Sequence, residues 1–162
     1  MIEIVPISPE HIESFHRTLD TVAKERRYLA FLEAPSLEST RGFILGAIEE
    51  KHPRFVALSK AQVVGWCDVT PQSNQIHAHA GILGMGLLPP FRGQGIGYRL
   101  ITRTLDAAKA MGLSRIALTV RENNKNAIGL YQKAGFAAEG LQRHAVRVDS
   151  AYENVVLMAL LF

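Results

Sequence analysis

An arginine and three glycines between residues 92 and 97 form the pattern in this chain best suited to bind an anion. They follow the apolar pair Leu87-Leu88 and two prolines, in the order Arg92-Gly93-Gln94-Gly95-Ile96-Gly97. The apolar residues predict a strand and those from Ile96 onward an amphipathic helix. Unpaired N–H groups at a helix N-terminus attract phosphate, and glycine permits close approach of the main chain. The pattern therefore predicts a diphosphate-binding loop, with Arg92 adding positive charge at its rim.

The spacing excludes two other phosphate-binding loops. A Walker-type loop requires a Gly-Lys pair, which the chain lacks. A dinucleotide fingerprint starting at Gly93 would need Gly or Ala at its sixth position, where the chain has Tyr98. What remains, Arg92-x-x-Gly95-x-Gly97, resembles a signature of the GNAT superfamily of acyl-CoA-dependent N-acetyltransferases. The alternative is an ordinary glycine-rich turn that binds nothing.

A second pattern between residues 123 and 136 favours the same superfamily. Asn123 or Asn124 is suited to cap a helix, and Gly135 to end it in a left-handed conformation. Apolar residues at helical spacing lie between them: Ala127, Leu130, Tyr131 and Ala134. The sequence pattern N-x-x-A-x-x-L-Y-x-K-x-G-F resembles the second GNAT motif, and it follows the first motif in the expected order. Together with the segments around them, the two patterns cover roughly residues 80 to 140.

The order of apolar patterns predicts one α/β (α+β) domain over residues 1–162. The resemblance implies the same GNAT-type architecture, a mixed, mostly antiparallel sheet of about seven strands flanked by about four helices. The predicted strands cover residues 2–7, 55–59, 62–69, 76–80 running into 81–88, 115–121, 137–148 and 152–161. The predicted helices cover residues 10–25, 36–51, 95–111 and the segment capped at 123 or 124.

Composition is that of a globular protein and excludes several classes. The chain has 20% charged and 48% apolar residues and a net charge of +3 from dispersed basic residues, which does not predict a nucleic-acid surface. No apolar run is long enough to span a membrane, and the N-terminal residues do not resemble a signal peptide. Cys67 is the single cysteine, so an intrachain disulfide is excluded. We expect a cytoplasmic protein.

The resemblance implies acetyl-CoA as cosubstrate. In this family the fourth and fifth strands separate at one end, and the pantetheine arm lies in the gap. On alignment Leu87 supplies a main-chain contact to that arm, with Met85 further in, and Asn126 matches a second pantetheine contact. The implied cofactor site is Leu87, Leu88, Arg92, Gly93, Gln94, Gly95, Ile96, Gly97 and Asn126.

The implied reaction is attack of a neutral amine on the thioester, which releases a thiolate. Tyr131 matches the position whose hydroxyl commonly protonates that thiolate, although its place on an apolar helix face also fits simple packing. His79 is a candidate general base, since histidine titrates near neutral pH and His77 would share its strand face. The chain has no Asp or Glu between residues 81 and 88. The alternative bases are Glu33, Asp68, Glu122 and Glu153.

The two histidines alone do not predict a metal site, and we expect none. They are also explained as ordinary surface residues.

The connection between the first two helices is the candidate acceptor site. Tyr28 and Phe31 could wall an apolar substrate and Glu33 could pair with its amine, although aromatic residues here also fit a core-capping role. We expect a small-molecule amine acceptor, with no nucleic-acid or membrane partner. The alternatives are a protein N-terminal or lysine acetyltransferase and a non-catalytic acyl-CoA sensor. The apolar C-terminal strand and the habits of the family favour a homodimer.

Overall fold

A computed structural model describes residues Met1–Phe162 as a seven-stranded sheet with helices on both faces. The strands are β1 (Ile2–Pro6), β2 (Arg54–Ser59), β3 (Gln62–Pro71), β4 (Ala80–Leu87), β5 (Arg115–Arg121), β6 (Ala137–Val148) and β7 (Ala151–Leu161). The helices are α1 (Ile12–Ala23), α2 (Leu37–Glu49), α3 (Ile96–Ala110) and α4 (Lys125–Lys133). None of these helices combines the length and apolar composition needed to cross a bilayer. The predicted fold class is confirmed.

The sheet order is β1-β2-β3-β4-β5-β7-β6, and only the β4–β5 pair is parallel. Apolar residues of α1 and α2 pack on one face around Trp66, where Phe15 meets the indole edge-on with ring centroids 5.7 Å apart. Apolar residues of α3 and α4 pack on the other face around Leu100 and Ile116. We call these the α1/α2 face and the α3/α4 face.

Two predicted boundaries are wrong. Residues Pro9–His11 form a single 3-10 turn, so α1 begins at Ile12 rather than near residue 10. The fourth strand begins at Ala80 rather than at residue 76, because Gln75–His77 form another 3-10 turn. The Asn74 side chain caps this turn by accepting from the amide of Ile76 at 3.0 Å. The β2–β3 hairpin forms as predicted, with Lys60 and Ala61 at positive φ in its turn.

The pairing of β4 with its two neighbours differs in length. On one side β4 pairs with β3 from Gly81 to Leu87. On the other side it pairs with β5 only over Ala80–Ile82. Beyond that point the two parallel strands separate, and the main chain of β4 borders a gap on the β5 side.

Gly86 allows the indole of Trp66 to lie flat against β4. A Cβ added at Gly86 would lie 2.6 Å from Cζ3 of the Trp66 ring, which is buried against α1. A methyl group at this position therefore requires the ring or the strand to move.

We expect Gly86→Ala to lower the free energy of unfolding by about 1–3 kcal/mol, because it overpacks this contact. Gly46→Ala is the matched control, since Gly46 lies on α2 with nothing within 4 Å of an added Cβ. The control should raise stability by about 0.5–1 kcal/mol through helix propensity. Urea denaturation of both variants measures the difference, and equal effects would contradict the packing argument.

Candidate active site

The gap between β4 and β5 exposes a row of main-chain donors and acceptors. Ala80 accepts a hydrogen bond from the β3 side with its carbonyl (2.9 Å), and Leu88 donates one to β3 with its amide (2.8 Å). Successive residues of a strand point their main-chain groups in opposite directions. The groups that point into the gap are therefore those of Leu83, Met85 and Leu87. An extended ligand with amide groups can pair with this edge as another strand would.

The glycine-rich loop lies directly after this edge and opens into α3. Gly93 and Gly95 have positive φ (74° and 81°), and Gly95 is the N-cap residue of the helix. Both positions need glycine for conformational reasons. Gly97 has a different role, because a Cβ there would lie 3.2 Å from Cδ2 of Leu130 on α4. The pattern thus combines a tight turn at a helix N-terminus with close packing of α3 against α4.

The Arg92 guanidinium is engaged within the protein. Its terminal nitrogens donate to both carboxylate oxygens of Glu25 (3.0 and 2.6 Å), and its Nε donates to the carbonyl of Leu87 (2.9 Å). It also lies 4.9 Å above the ring of Tyr28. The predicted charge at the loop rim is therefore balanced by Glu25, and Arg92 connects the end of β4 to the residues after α1.

We expect Arg92→Ala to lower the free energy of unfolding by about 1–2 kcal/mol, since it leaves the half-buried Glu25 carboxylate without its partner. Urea denaturation measures this loss. In Arg92→Ala/Glu25→Ala no carboxylate is left unpaired, so part of the loss should be recovered. A single variant as stable as the wild type would show that the ion pair contributes nothing.

Tyr131 lies on α4, where its ring faces β3. The helix is capped by Asn124, whose side chain accepts from the amide of Ala127 (3.3 Å), and it ends at Gly135 with φ of 107°. Tyr131 is only 7% exposed, and its ring lies near Phe136 and the thiol of Cys67. Burial raises its pKa well above the usual value, and the nearby thiol adds to the effect. The phenol therefore keeps its proton at physiological pH.

Packing against Cys67 places Tyr131 at the same position along the strands as Met85. Cys67 pairs with Met85 across β3 and β4, and its side chain belongs to the same apolar cluster as Tyr131. A proton donor and main-chain groups that face the gap are thus close together. The predicted pantetheine contact Asn126 is exposed on the first turn of α4.

Arg121 fixes the connection between α1 and α2, a role that the sequence analysis missed. It is 5% exposed, and it donates to the carbonyls of Arg26 and Leu29 (both 2.8 Å). Its charge is balanced by Glu153 at 3.3 Å. An arginine at the end of a strand with a buried, mostly apolar pattern was the signal in the sequence.

The connection is also tied to the far hairpin. The guanidinium of Arg26 donates to both carboxylate oxygens of Asp149 (3.0 and 2.6 Å), in the turn between β6 and β7.

Within the connection Tyr28 is half-buried beneath Arg92, Phe31 is 39% exposed, and Glu33 is exposed. Of the predicted acceptor residues, only Tyr28 has a contact that links it to the gap.

The structure corrects the placement of the two histidines. His77 ends the 3-10 turn and His79 lies in the following turn, so they do not share a strand face. His79 is exposed just before β4, about 20 Å along the strand from Met85 at the usual rise per residue. It is therefore at the paired end of β4, away from the gap and from Tyr131.

Asp68 differs from the other candidate carboxylates in its environment. Glu153 is bound by Arg121 and Asn123, Glu122 accepts from Asn154 at 3.1 Å, and Glu33 is in solvent. Asp68 is largely buried on the α1/α2 face, 3.3 Å from a guanidinium nitrogen of Arg54. Burial raises its pKa to about 6, although Arg54 acts in the opposite direction.

The chain is similar in sequence to several N-acetyltransferases. The spermidine N(1)-acetyltransferase of Escherichia coli K12 is 24% identical over 166 residues, covering 98% of this chain and 85% of that protein. The N-alpha-acetyltransferase RimI of Mycobacterium tuberculosis is 32% identical over 101 residues, 62% of each chain. The uncharacterized N-acetyltransferase YycN of Bacillus subtilis is 30% identical over 79 residues, so the match spans about half (51%) of that relative.

Solved structures share the fold over the full chain. A GNAT-family acetyltransferase from Streptococcus pneumoniae has a TM-score of 0.93 at 23% identity and covers 100% of both chains. A phosphinothricin acetyltransferase from Sinorhizobium meliloti in complex with acetyl-CoA has a TM-score of 0.93 at 16% identity, covering 99% of this chain and 88% of that one. The model of the acetyltransferase (GNAT) family matches residues 14–136. The chain therefore belongs to the GNAT family of N-acetyltransferases.

Proposed function

We propose that this chain transfers the acetyl group of acetyl-CoA to a primary amine of a small metabolite or amino-acid-like compound. The observation that supports this most directly is the unpaired edge of β4, which is followed directly by a glycine-rich loop at the N-terminus of α3. In this proposal the main-chain groups of Met85 and the amide of Leu87 pair with the pantetheine arm, while the Leu87 carbonyl accepts from Arg92. The loop amides of residues 93–97 then bind the diphosphate.

Tyr131 is the proton donor in this reaction. As the acceptor nitrogen attacks the thioester carbon, the C–S bond breaks and negative charge develops on sulfur. A phenol that stays neutral and lies at the level of Met85 can donate a proton to that sulfur. The displaced CoA then leaves as a thiol.

The fixed position of the connection between α1 and α2 favours a small acceptor over a protein chain. The connection between α1 and α2 is tied to β4 through Glu25, to β5 through Arg121 and to the β6–β7 turn through Arg26. An open groove for a polypeptide would require this connection to move away. Protein N-terminal acetylation remains the second candidate, because RimI of M. tuberculosis is among the relatives.

Binding and acceptor choice can be measured separately. Calorimetry should detect binding of acetyl-CoA, and weaker binding of S-acetylpantetheine because it lacks the diphosphate. Thiol release should then be screened against small amines, amino acids, polyamines and peptides. Turnover confined to small amines supports the proposal, and turnover confined to peptides favours the second candidate. Acetyl-CoA binding without turnover of any amine would indicate a sensor domain instead.

We expect Tyr131→Phe to lower kcat about 10- to 100-fold with little change in the acetyl-CoA dissociation constant, because it removes a proton donor but keeps the ring. Tyr152→Phe is the matched control, since Tyr152 is exposed on β7 and should leave kcat unchanged. Steady-state kinetics with an acceptor found in the screen measure both. Equal kcat values for wild type and Tyr131→Phe would exclude Tyr131 as the acid.

A further inference from the structure

Asp68 lies beside the centre of β4, directly opposite Gly84. The two residues are paired across β3 and β4, and a Cβ added at Gly84 would lie 3.7 Å from Oδ1 of Asp68. With standard backbone dimensions, this oxygen is within roughly 7 Å of the Met85 amide. β4 has no acidic residue of its own, and Asp68 of β3 supplies a carboxylate beside its central residues.

Asp68 and Tyr131 lie on opposite faces of the sheet at the same level. Cys67 contributes to the α3/α4 face, where Tyr131 is buried, while the next residue, Asp68, points to the α1/α2 face. Trp66 on that second face confirms the alternation. A thioester at Met85 would therefore have a proton donor on one side and a carboxylate on the other.

The surroundings of Asp68 leave its carboxylate accessible from one direction. Its side chain is 14% exposed, and Arg54 is the charged group that contacts it, with one guanidinium nitrogen 3.3 Å away. Arg54 also donates weakly to Thr70 at 3.5 Å, and its buried Nε has no hydrogen-bond partner. One ion pair thus holds Asp68 in place, while part of the carboxylate remains free to accept from a ligand.

Apolar surface adjoins this carboxylate. Phe43 of α2 is 57% exposed and its ring lies 4.8 Å from the Arg54 guanidinium carbon. Ile82, two residues before Gly84 and therefore on the same face, is 45% exposed. Large exposed apolar side chains next to a partly buried carboxylate suit an ammonium group attached to an apolar carbon skeleton.

We propose that Asp68 receives the ammonium group of the acceptor and takes its proton, which makes it the general base of the acetyl transfer. This inference rests on the proposed function, because it assigns a residue to that reaction. The acceptor class that it implies is a primary alkyl or aralkyl amine.

The protons balance as follows. The ammonium gives one proton to the Asp68 carboxylate, which passes it to solvent. The free nitrogen attacks the thioester carbon, so that the C–N bond forms and the C–S bond breaks. Tyr131 donates its proton to the sulfur, and the second proton lost by nitrogen returns through solvent to the Tyr131 oxygen. A carboxyl group with a pKa raised to about 6 is a stronger base than an exposed aspartate and still ionised at neutral pH.

We test this with Asp68→Asn, which keeps the size and shape of the side chain but removes its charge and its ability to take a proton. We expect kcat/KM for the acceptor to fall about 100- to 1000-fold, whereas the acetyl-CoA dissociation constant measured by calorimetry should not change. Wild-type kcat/KM should rise with pH through a midpoint near 6, because Asp68 must be ionised, and the variant should lack this step. Glu139→Gln, at an exposed ion pair on β6, should retain both the rate and the step.

A second variant separates catalysis from simple charge balance. Asp68→Asn leaves the Arg54 charge buried and unpaired, whereas Arg54→Gln/Asp68→Asn contains no buried charge at this position. The double variant should fold, bind acetyl-CoA and remain as slow as the single variant. Recovery of activity in the double variant, or an unchanged pH profile in Asp68→Asn, would overturn the inference while leaving the proposed function intact. A wild type that acetylates no amine would overturn both.

Discussion

The early end of pairing between β4 and β5 is the feature on which the rest of the site depends. A buried strand normally satisfies its main-chain groups on both sides, because unpaired polar groups are costly away from water. Here β4 keeps its pairing with β3 through Leu87 but loses that with β5 after Ile82. The unpaired groups require solvent or a ligand with amides of its own. The acetyl-CoA of the proposed function would supply such amides from its pantetheine arm.

The other parts of the site are arranged around this edge by ordinary packing. Gly97 allows α4 to lie close to α3, which places Tyr131 beside β3. Gly86 leaves room on the opposite face for the Trp66 indole. The absence of side chains at these positions therefore determines where functional groups from neighbouring elements are located.

Local patterns were sufficient to predict the fold class, the order of the elements and the loop before α3. Caps, turn residues and apolar spacing act over a few residues, so the cap of α4 could be narrowed to Asn123 or Asn124 and its end assigned to Gly135 from the sequence. The strand proposed over residues 76–80 was wrong because the Asn74 cap favours a 3-10 turn over continued extension. The candidate role of His79 depended on that strand geometry, and His79 lies instead in an exposed turn before β4.

Charged residues could not be placed in the same way, because their partners are distant in sequence. Arg92 lies 67 residues from Glu25, and Arg54 lies 14 residues from Asp68 across a hairpin whose register includes a bulge. A charge at the end of an apolar strand, as at Arg121, does not reveal which carbonyls it will bind. The sequence named Arg92 and Asp68 as candidates, but only the packed sheet distinguishes a buried carboxylate from a solvated one.

The attachment of the α1–α2 connection by Arg121 has a consequence for selectivity. Because two carbonyls of this segment are already hydrogen-bonded to the sheet, its shape does not have to be organised by an incoming molecule, and association avoids that entropic cost. In the proposed function this segment borders the acceptor, and a wall of this kind would reject oversized compounds sterically rather than close around the correct one. Evolution of a new preference would then proceed through replacements along residues 24–36 that preserve the anchored backbone.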